Sequence, residues 1–165
     1  MGAGKTTVGR LVAQALGVPF VDLDELVVQE TGRSIPEWFA VAGEAGFREQ
    51  EVRALERLVD RGKPGIWALG GGAVLQPGVR AALRRAGAQV VWLRADFEEI
   101  RRRIGPEGRP LWAAGTEAVR RLWAARQAAY REAAQFAVDA DGPPDVVAAT
   151  VIRWIRERGY VAEDL

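Results

Sequence analysis

The chain has no cysteine and no histidine among its 165 residues. Without cysteine it forms no disulfides and does no thiolate chemistry. Without histidine it lacks the commonest general base and metal-ligating side chain, so any proton acceptor must be Asp, Glu, Tyr or Lys. No apolar run approaches the roughly 20 residues that a membrane span needs, and the first residues do not follow the charged-then-apolar pattern of a secretion signal. A net charge of +1 supplies no pull toward nucleic acid or a membrane surface. Lysine is scarce too: Lys5 and Lys63 stand alone and every other basic residue is Arg, a bias that fits a GC-rich genome. The scarcity makes Lys5 conspicuous.

What is present suits one globular domain over 1–165, with 48% hydrophobic residues and enough length for a core. The stretch from Met1 to Thr7, MGAGKTT, reads as the second half of a phosphate-binding loop running into a helix. Gly2 and Gly4 permit backbone turns that a Cβ would block, so that amides from Gly2 through Ala3, Gly4, Lys5 and Thr6 to Thr7 can point at phosphate oxygens. The helix adds free N–H groups and the positive end of its dipole. Lys5 offers a compact cation to the β- and γ-phosphates, and the Thr6 hydroxyl a ligand to Mg²⁺. The full G-x-x-x-x-G-K-[ST] pattern would place its first glycine two positions before Met1, after a buried strand. Taken alone, the same letters also read as a chance glycine-rich helix start.

Downstream, apolar spacing predicts a helix over 6–16, a strand over 19–23, a helix to Glu30, and a helix opening at Ser34 with a capping-box Glu37. A long helix follows from about Glu44 to Asp60. Strands are expected over 65–69, 88–93 and 136–139, helices over 77–85, 97–104, 116–134 and 145–158, and a mobile lid at about 104–116. Alternating strands and helices argue for an α/β domain whose parallel sheet is covered on both faces, with ligands at the carboxyl ends of the strands.

The candidate chemistry clusters at those ends. Asp22 and Asp24 suit Mg²⁺ tuning and proton abstraction from a hydroxyl, although Asp24 also reads as the cap of a helix starting at Glu25. Arg48 and Glu51 are i, i+3 neighbours, either a guanidinium held ready for a substrate carboxylate or an ordinary exposed ion pair. Gly70, Gly71 and Gly72 let backbone approach a ligand closely, or simply turn the chain before Pro77. Arg109 in the lid fits the role of an arginine finger. Of Arg101, Arg102 and Arg103, the first two read as a solvated face. Arg131, after Tyr130, is a second carboxylate grip or a surface Arg.

In this order, GAGKTT, D-L-D, TGRSI, F-R-x-x-E, LGGGAV, G-R-P-L and Y-R, the chain resembles the shikimate kinase family over nearly its whole length. The resemblance implies a three-layer P-loop kinase fold of the nucleoside-monophosphate-kinase type, with a five-stranded parallel sheet and a shikimate-binding region at about 25–60. It implies transfer of the ATP γ-phosphoryl group to the 3-hydroxyl of shikimate with Mg²⁺, by a cytoplasmic monomer that has no nucleic-acid or membrane partner. By the same resemblance, Lys5 and the amides of Gly2 to Thr7 hold phosphates, and Thr6 and Asp22 serve Mg²⁺. Asp24 takes the shikimate hydroxyl, Arg48 and Arg131 its carboxylate, and Gly71 and Gly72 its ring hydroxyls. Arg109 closes over the phosphates and Arg103 packs on adenine. The segment between Arg103 and Arg109 is shorter than in several relatives. The family's first, mid-sheet strand is absent, which would leave two neighbouring strands with unpaired facing edges and Met1's amino group inside the loop. A natural start about ten residues upstream is therefore expected, and weak ATP binding by a chain that starts at Met1. A gluconate-kinase-like enzyme and a non-catalytic P-loop binding module are the rival readings.

Overall fold

The computed structural model describes residues 2–104 and 115–159. Helix α1 (Lys5–Leu16) begins after Gly4 and stops at Gly17, both in the left-handed region, and the Gly17 N–H returns to the Ala13 and Gln14 carbonyls. Its buried stripe of Val8, Val12, Ala13 and Leu16 recurs at helical spacing. Gly9 is required where α1 crosses the first strand, because a Cβ there would lie 2.6 Å from the Phe20 ring.

Strand β1 (Phe20–Asp22) leads directly into α2 (Leu23–Thr31). Asp22 is the cap of α2, its carboxylate accepting the Asp24 N–H at 3.1 Å. This corrects the alternative in which Asp24 was the cap: Asp24 lies inside the first turn. Its proximity to Asp22 follows from the cap and not from the alternation of an extended strand. Helix α3 (Ile35–Asp60) opens with the expected capping box, in which Ser34 and Glu37 satisfy each other's backbone N–H groups. Gly43, at φ 66° and ψ −174°, lies outside helical geometry and interrupts it, so the run consists of two helices that meet at a kink, on either side of the expected boundary near Glu44.

Strand β2 (Ile66–Ala68) precedes the glycine triplet and a 3₁₀ turn (Ala73–Leu75); α4 (Pro77–Arg85), β3 (Val91–Arg94), α5 (Phe97–Ile104), α6 (Thr116–Ala133), β4 (Phe136–Asp139) and α7 (Pro144–Glu157) follow. The strand expected from residue 88 begins at Val91. The Ala88 N–H is taken by the Leu83 carbonyl at 3.0 Å and the Val90 N–H by the Gln135 side chain at 2.8 Å, so ladder pairing starts later.

The parallel sheet that strand–helix alternation suggests is divided, with the unpaired facing edges that the resemblance implies. β1 pairs in parallel with β2, Val21 opposite Trp67, and β3 pairs in parallel with β4, Trp92 opposite Ala137; among the described residues no strand joins β2 to β3. Each half-sheet has its own core. One gathers Val8, Val12, Leu16, Ile100, Val147 and Val151, the other Leu23, Val27, Phe47, Leu55, Val79 and Leu83. Helices α1 and α7 pack together in the first, α2, α3 and α4 in the second. The carboxyl ends of β1 and β2 meet the amino end of α1, and the functional residues collect there.

Candidate active site

The amino end of α1 is built to receive an anion. Gly2 and Gly4 have φ of 65° and 84°, and among the described residues only glycines occupy such values. The first helical hydrogen bond is Val8 N–H to the Gly4 carbonyl at 2.9 Å, so the amides of Lys5, Thr6 and Thr7 have no acceptor within the helix. No acidic residue sits in that first turn, which leaves the positive end of the helix dipole available to a ligand. Ala3 is buried beneath the loop.

The Thr6 hydroxyl donates to Asp22 Oδ2 at 2.9 Å, while Asp22 Oδ1 caps α2. The two residues expected to serve Mg²⁺ are thus brought together across 16 positions of sequence. A hydroxyl and one carboxylate fit an ion that keeps waters and takes other oxygens from phosphates. Among the described residues no group of three or more carboxylate, His or Cys side chains forms an all-protein metal cage.

On the other side of the β1–β2 ends lie Asp24, Arg48, Glu51 and the glycine triplet. Arg48 Nη1 donates to Glu51 Oε2 at 2.6 Å, and its Nη2 and Nε both donate to Glu44 Oε1, at 2.9 and 3.2 Å. Glu51 is completely buried and the Arg48 side chain only 14% exposed, so this is not the ordinary surface pair that the i, i+3 spacing also allowed. Two carboxylates grip the guanidinium, Glu44 at its Nε–Nη2 edge and Glu51 at Nη1, and fix its plane. Glu44 was not singled out from sequence, although its i, i+4 spacing to Arg48 carried the signal.

Glycines 70 and 72 are explained by packing against these side chains. A Cβ on Gly70 would sit 2.8 Å from Asp24 Oδ1 and 2.8 Å from Glu51 Oε1, and one on Gly72 would collide with the Arg48 guanidinium. The glycine turn therefore closes directly over the charged cluster, which excludes the reading as a turn alone. Both Asp24 Oδ1 and Glu51 Oε1 are buried without a donor. Burial pushes the Glu51 carboxyl up to about 7 against the pull of Arg48. Burial, and then the Asp22 charge, raise Asp24 against the pull of Lys5 and Arg48. Two buried carboxyls at one point are most stable with one proton between them.

Helix α6 supplies a residue that its sequence context does not reveal. Tyr130 OH donates to the Gly71 carbonyl at 2.6 Å and so holds the middle peptide of the triplet. One turn earlier, Arg126 is buried at 9% exposure and not on the surface; its spacing of four from Tyr130 placed both on one helix face. Arg131 follows Tyr130 and is exposed. Arg103 donates to Glu99 at 2.8 Å and to the Asp141 carbonyl at 2.9 Å, which fixes it between α5 and the loop after β4. Arg101 and Arg102 pair with Glu98 and Glu99 on the exposed face of α5, as a solvated face requires. Arg109 and most of the expected lid lie outside the described residues.

Comparison with known proteins agrees with this arrangement. The family profile "Shikimate kinase" matches residues 1–156. The chain is 44% identical over 156 residues to the shikimate kinase of Paramagnetospirillum magneticum, covering 93% of this chain and 77% of that one. It is 42% identical over 166 residues to that of Symbiobacterium thermophilum, covering 96% and 94%. In structure it is similar to the shikimate kinase from Acinetobacter baumannii in complex with shikimate, with a TM-score of 0.88, 34% identity and coverage of 97% and 90%. It is also similar to the enzyme from Aquifex aeolicus, with a TM-score of 0.81, 28% identity and coverage of 97% and 94%.

Proposed function

Because this chain belongs to the shikimate kinase family, we propose that the cluster at the ends of β1 and β2 is where its substrates meet and that each side chain there has a distinct task. The enzyme is an ATP-dependent kinase that transfers the γ-phosphoryl group to the 3-hydroxyl of shikimate, giving shikimate 3-phosphate and ADP, with Mg²⁺. Neither a gluconate kinase nor a non-catalytic module is favoured by these relatives.

In the proposed site, the Gly2 to Thr7 amides hold the phosphate oxygens, and Lys5 offsets charge on the β- and γ-phosphates. Thr6 and Asp22 would hold Mg²⁺, which neutralises phosphate charge when bound. Asp24, with its raised proton affinity, accepts the shikimate hydroxyl and takes its proton as the phosphoryl group arrives. Arg48, fixed by Glu44 and Glu51, takes the carboxylate in a bidentate pair, and Arg131 approaches it from α6. Gly71 and Gly72 face the ring hydroxyls, Arg103 packs on adenine, and Arg109 closes over the phosphates. Positioning and charge neutralisation supply most of the rate in such transfers, so a site without His or Cys suffices. The enzyme works as one P-loop kinase domain, with the shikimate region at 25–60 and the lid at 104–116, as a cytoplasmic monomer; among the described residues no helix is long and apolar enough to cross a membrane.

The observation that carries this reading is the convergence of Asp24 and Arg48 on the glycine turn, beside the Thr6–Asp22 pair. A coupled ADP-release assay tests it. Shikimate is expected to drive ADP release and gluconate is not, and Lys5→Met and Asp24→Asn each to lower kcat by roughly 100-fold or more. Unchanged turnover in both variants would refute the assigned roles.

A further inference from the structure

The donors of Arg48 are already engaged by this chain's own carboxylates. A guanidinium takes a carboxylate bidentately along one of two edges, Nε with Nη2 or Nη1 with Nη2. A single Glu44 oxygen takes both donors of the first edge, Nη2 at 2.9 Å and Nε at 3.2 Å. Glu51 takes Nη1, at the end of the second edge, at 2.6 Å. A Cβ on Gly72 would meet Nη2, Cζ and Nε together, Cζ at 2.5 Å and Nε at 3.0 Å, so the glycine turn covers one face of the group.

The two carboxylates are held very differently. Glu51 is completely buried, with Gly70 packed against its other oxygen. The Glu44 side chain is 60% exposed. It follows directly on Gly43, where α3 is interrupted and a Cβ would meet nothing within 4 Å, so the carboxylate can swing into solvent without displacing a neighbour. An acid arriving from solvent therefore reaches the Glu44 edge and not the Glu51 end. A second carboxylate set beside Glu44 would place like charges together at one cation. One that takes the place of Glu44 leaves the charge there unchanged, and Glu51 still holds the plane of the guanidinium.

We propose that Glu44 is a resident stand-in for the substrate carboxylate: it occupies the open bidentate edge of Arg48, is displaced when a hydroxylated ring acid binds, and filters out acids that offer a carboxylate alone. The proposal rests on the assignment of Arg48 to the substrate carboxylate made above. Exchanging one carboxylate for another gains little at Arg48 itself, and the resident one is tethered, at an effective concentration of about millimolar or more. A simple acid in free solution competes poorly against it. A ring acid whose hydroxyls also reach Asp24 and the glycine turn gains the surplus that drives the exchange. Affinity is lowered in return, by the fraction of molecules whose edge is free.

Calorimetric binding to Glu44→Gln and Glu44→Ala separates a stand-in from a mere support. If Glu44 only steadied Arg48, both variants would bind shikimate more weakly. As a stand-in, its loss is expected to tighten shikimate about threefold, and cyclohexanecarboxylate, a ring acid without hydroxyls, by about as much or more. In turnover the change is expected as a lower KM for shikimate, without a higher kcat and without a shift in KM for ATP. Glu49→Gln is the control for charge alone: Glu49 is exposed and pairs with Arg53, and its loss is expected to leave both affinities as they were. Arg48→Lys keeps the charge but has no bidentate edge and is expected to weaken shikimate about tenfold or more. Undiminished shikimate binding by Arg48→Lys would overturn the role of Arg48 and the stand-in with it. With Arg48→Lys weakened, unchanged or weaker binding by the Glu44 variants, or equal tightening by Glu49→Gln, would overturn the stand-in alone.

Discussion

Glu51 offers the sharpest test of the site's electrostatics. It is fully buried, bound to Arg48 at 2.6 Å, and its second oxygen faces the Asp24 carboxylate across Gly70. A carboxyl whose pKa rises from the usual 4.5 to about 7 on folding binds its proton more tightly in the native state. The folded protein then gains stability at low pH and loses it as pH rises from about 4.5 through about 7. At about 1.4 kcal/mol per pH decade, the full gain is about 3 kcal/mol. Glu51→Gln keeps the volume and mimics the protonated carboxyl, with an amide N–H to offer Asp24, but cannot titrate. Urea denaturation of both ligand-free proteins between pH 5 and pH 8 reads the Glu51–Asp24 carboxyl pair, because titrations elsewhere in the chain cancel in the difference. The natural chain is expected to lose about 2–3 kcal/mol relative to the variant over that range. Parallel stability curves, or a natural chain that gains on the variant as pH rises, would refute the shared-proton account. Arg48 would then hold Glu51 ionised throughout.

Three further outcomes follow from the geometry. Gly70→Ala places a methyl 2.8 Å from two carboxylate oxygens; overpacking of about 1–3 kcal/mol is expected, read as a lower Tm together with a raised KM for shikimate, and a normal KM would show that the turn does not close on the cluster. Tyr130→Phe removes the 2.6 Å bond to the Gly71 carbonyl and should cost about 1 kcal/mol, appearing as a several-fold higher KM for shikimate with little change in that for ATP. Ser34→Ala breaks the capping box of α3 and should lower stability by about 1 kcal/mol in chemical denaturation, while kcat stays unchanged.

Much of this was readable along the chain because the relevant forces are local. Glycines at 4 and 17 bound α1, Ser34 and Glu37 open α3, and Pro77 starts α4, each through contacts within a few residues. The Arg48–Glu51 pair follows from helical spacing alone. What was missed depends on partners distant in sequence. Tyr130 reaches Gly71 across 59 positions. Arg126 is buried only because α6 lies against the rest of the fold, and the late start of β3 reflects the side chain of Gln135. Asp22 and Asp24 were paired correctly, but by the wrong geometry, since a cap and a strand end look alike in the letters D-L-D.

The sequence by itself determined the element types, their order and the chemistry available: a phosphate loop, one conspicuous lysine, and carboxylates and guanidiniums in place of His and Cys. Tertiary structure alone decided which charges are buried and that Gly70 and Gly72 close over Asp24, Glu51 and Arg48. Hydrogen-bond spacing and capping act over a few residues and leave their mark in order. Burial and strand pairing depend on segments tens of residues apart, which order alone does not bring together.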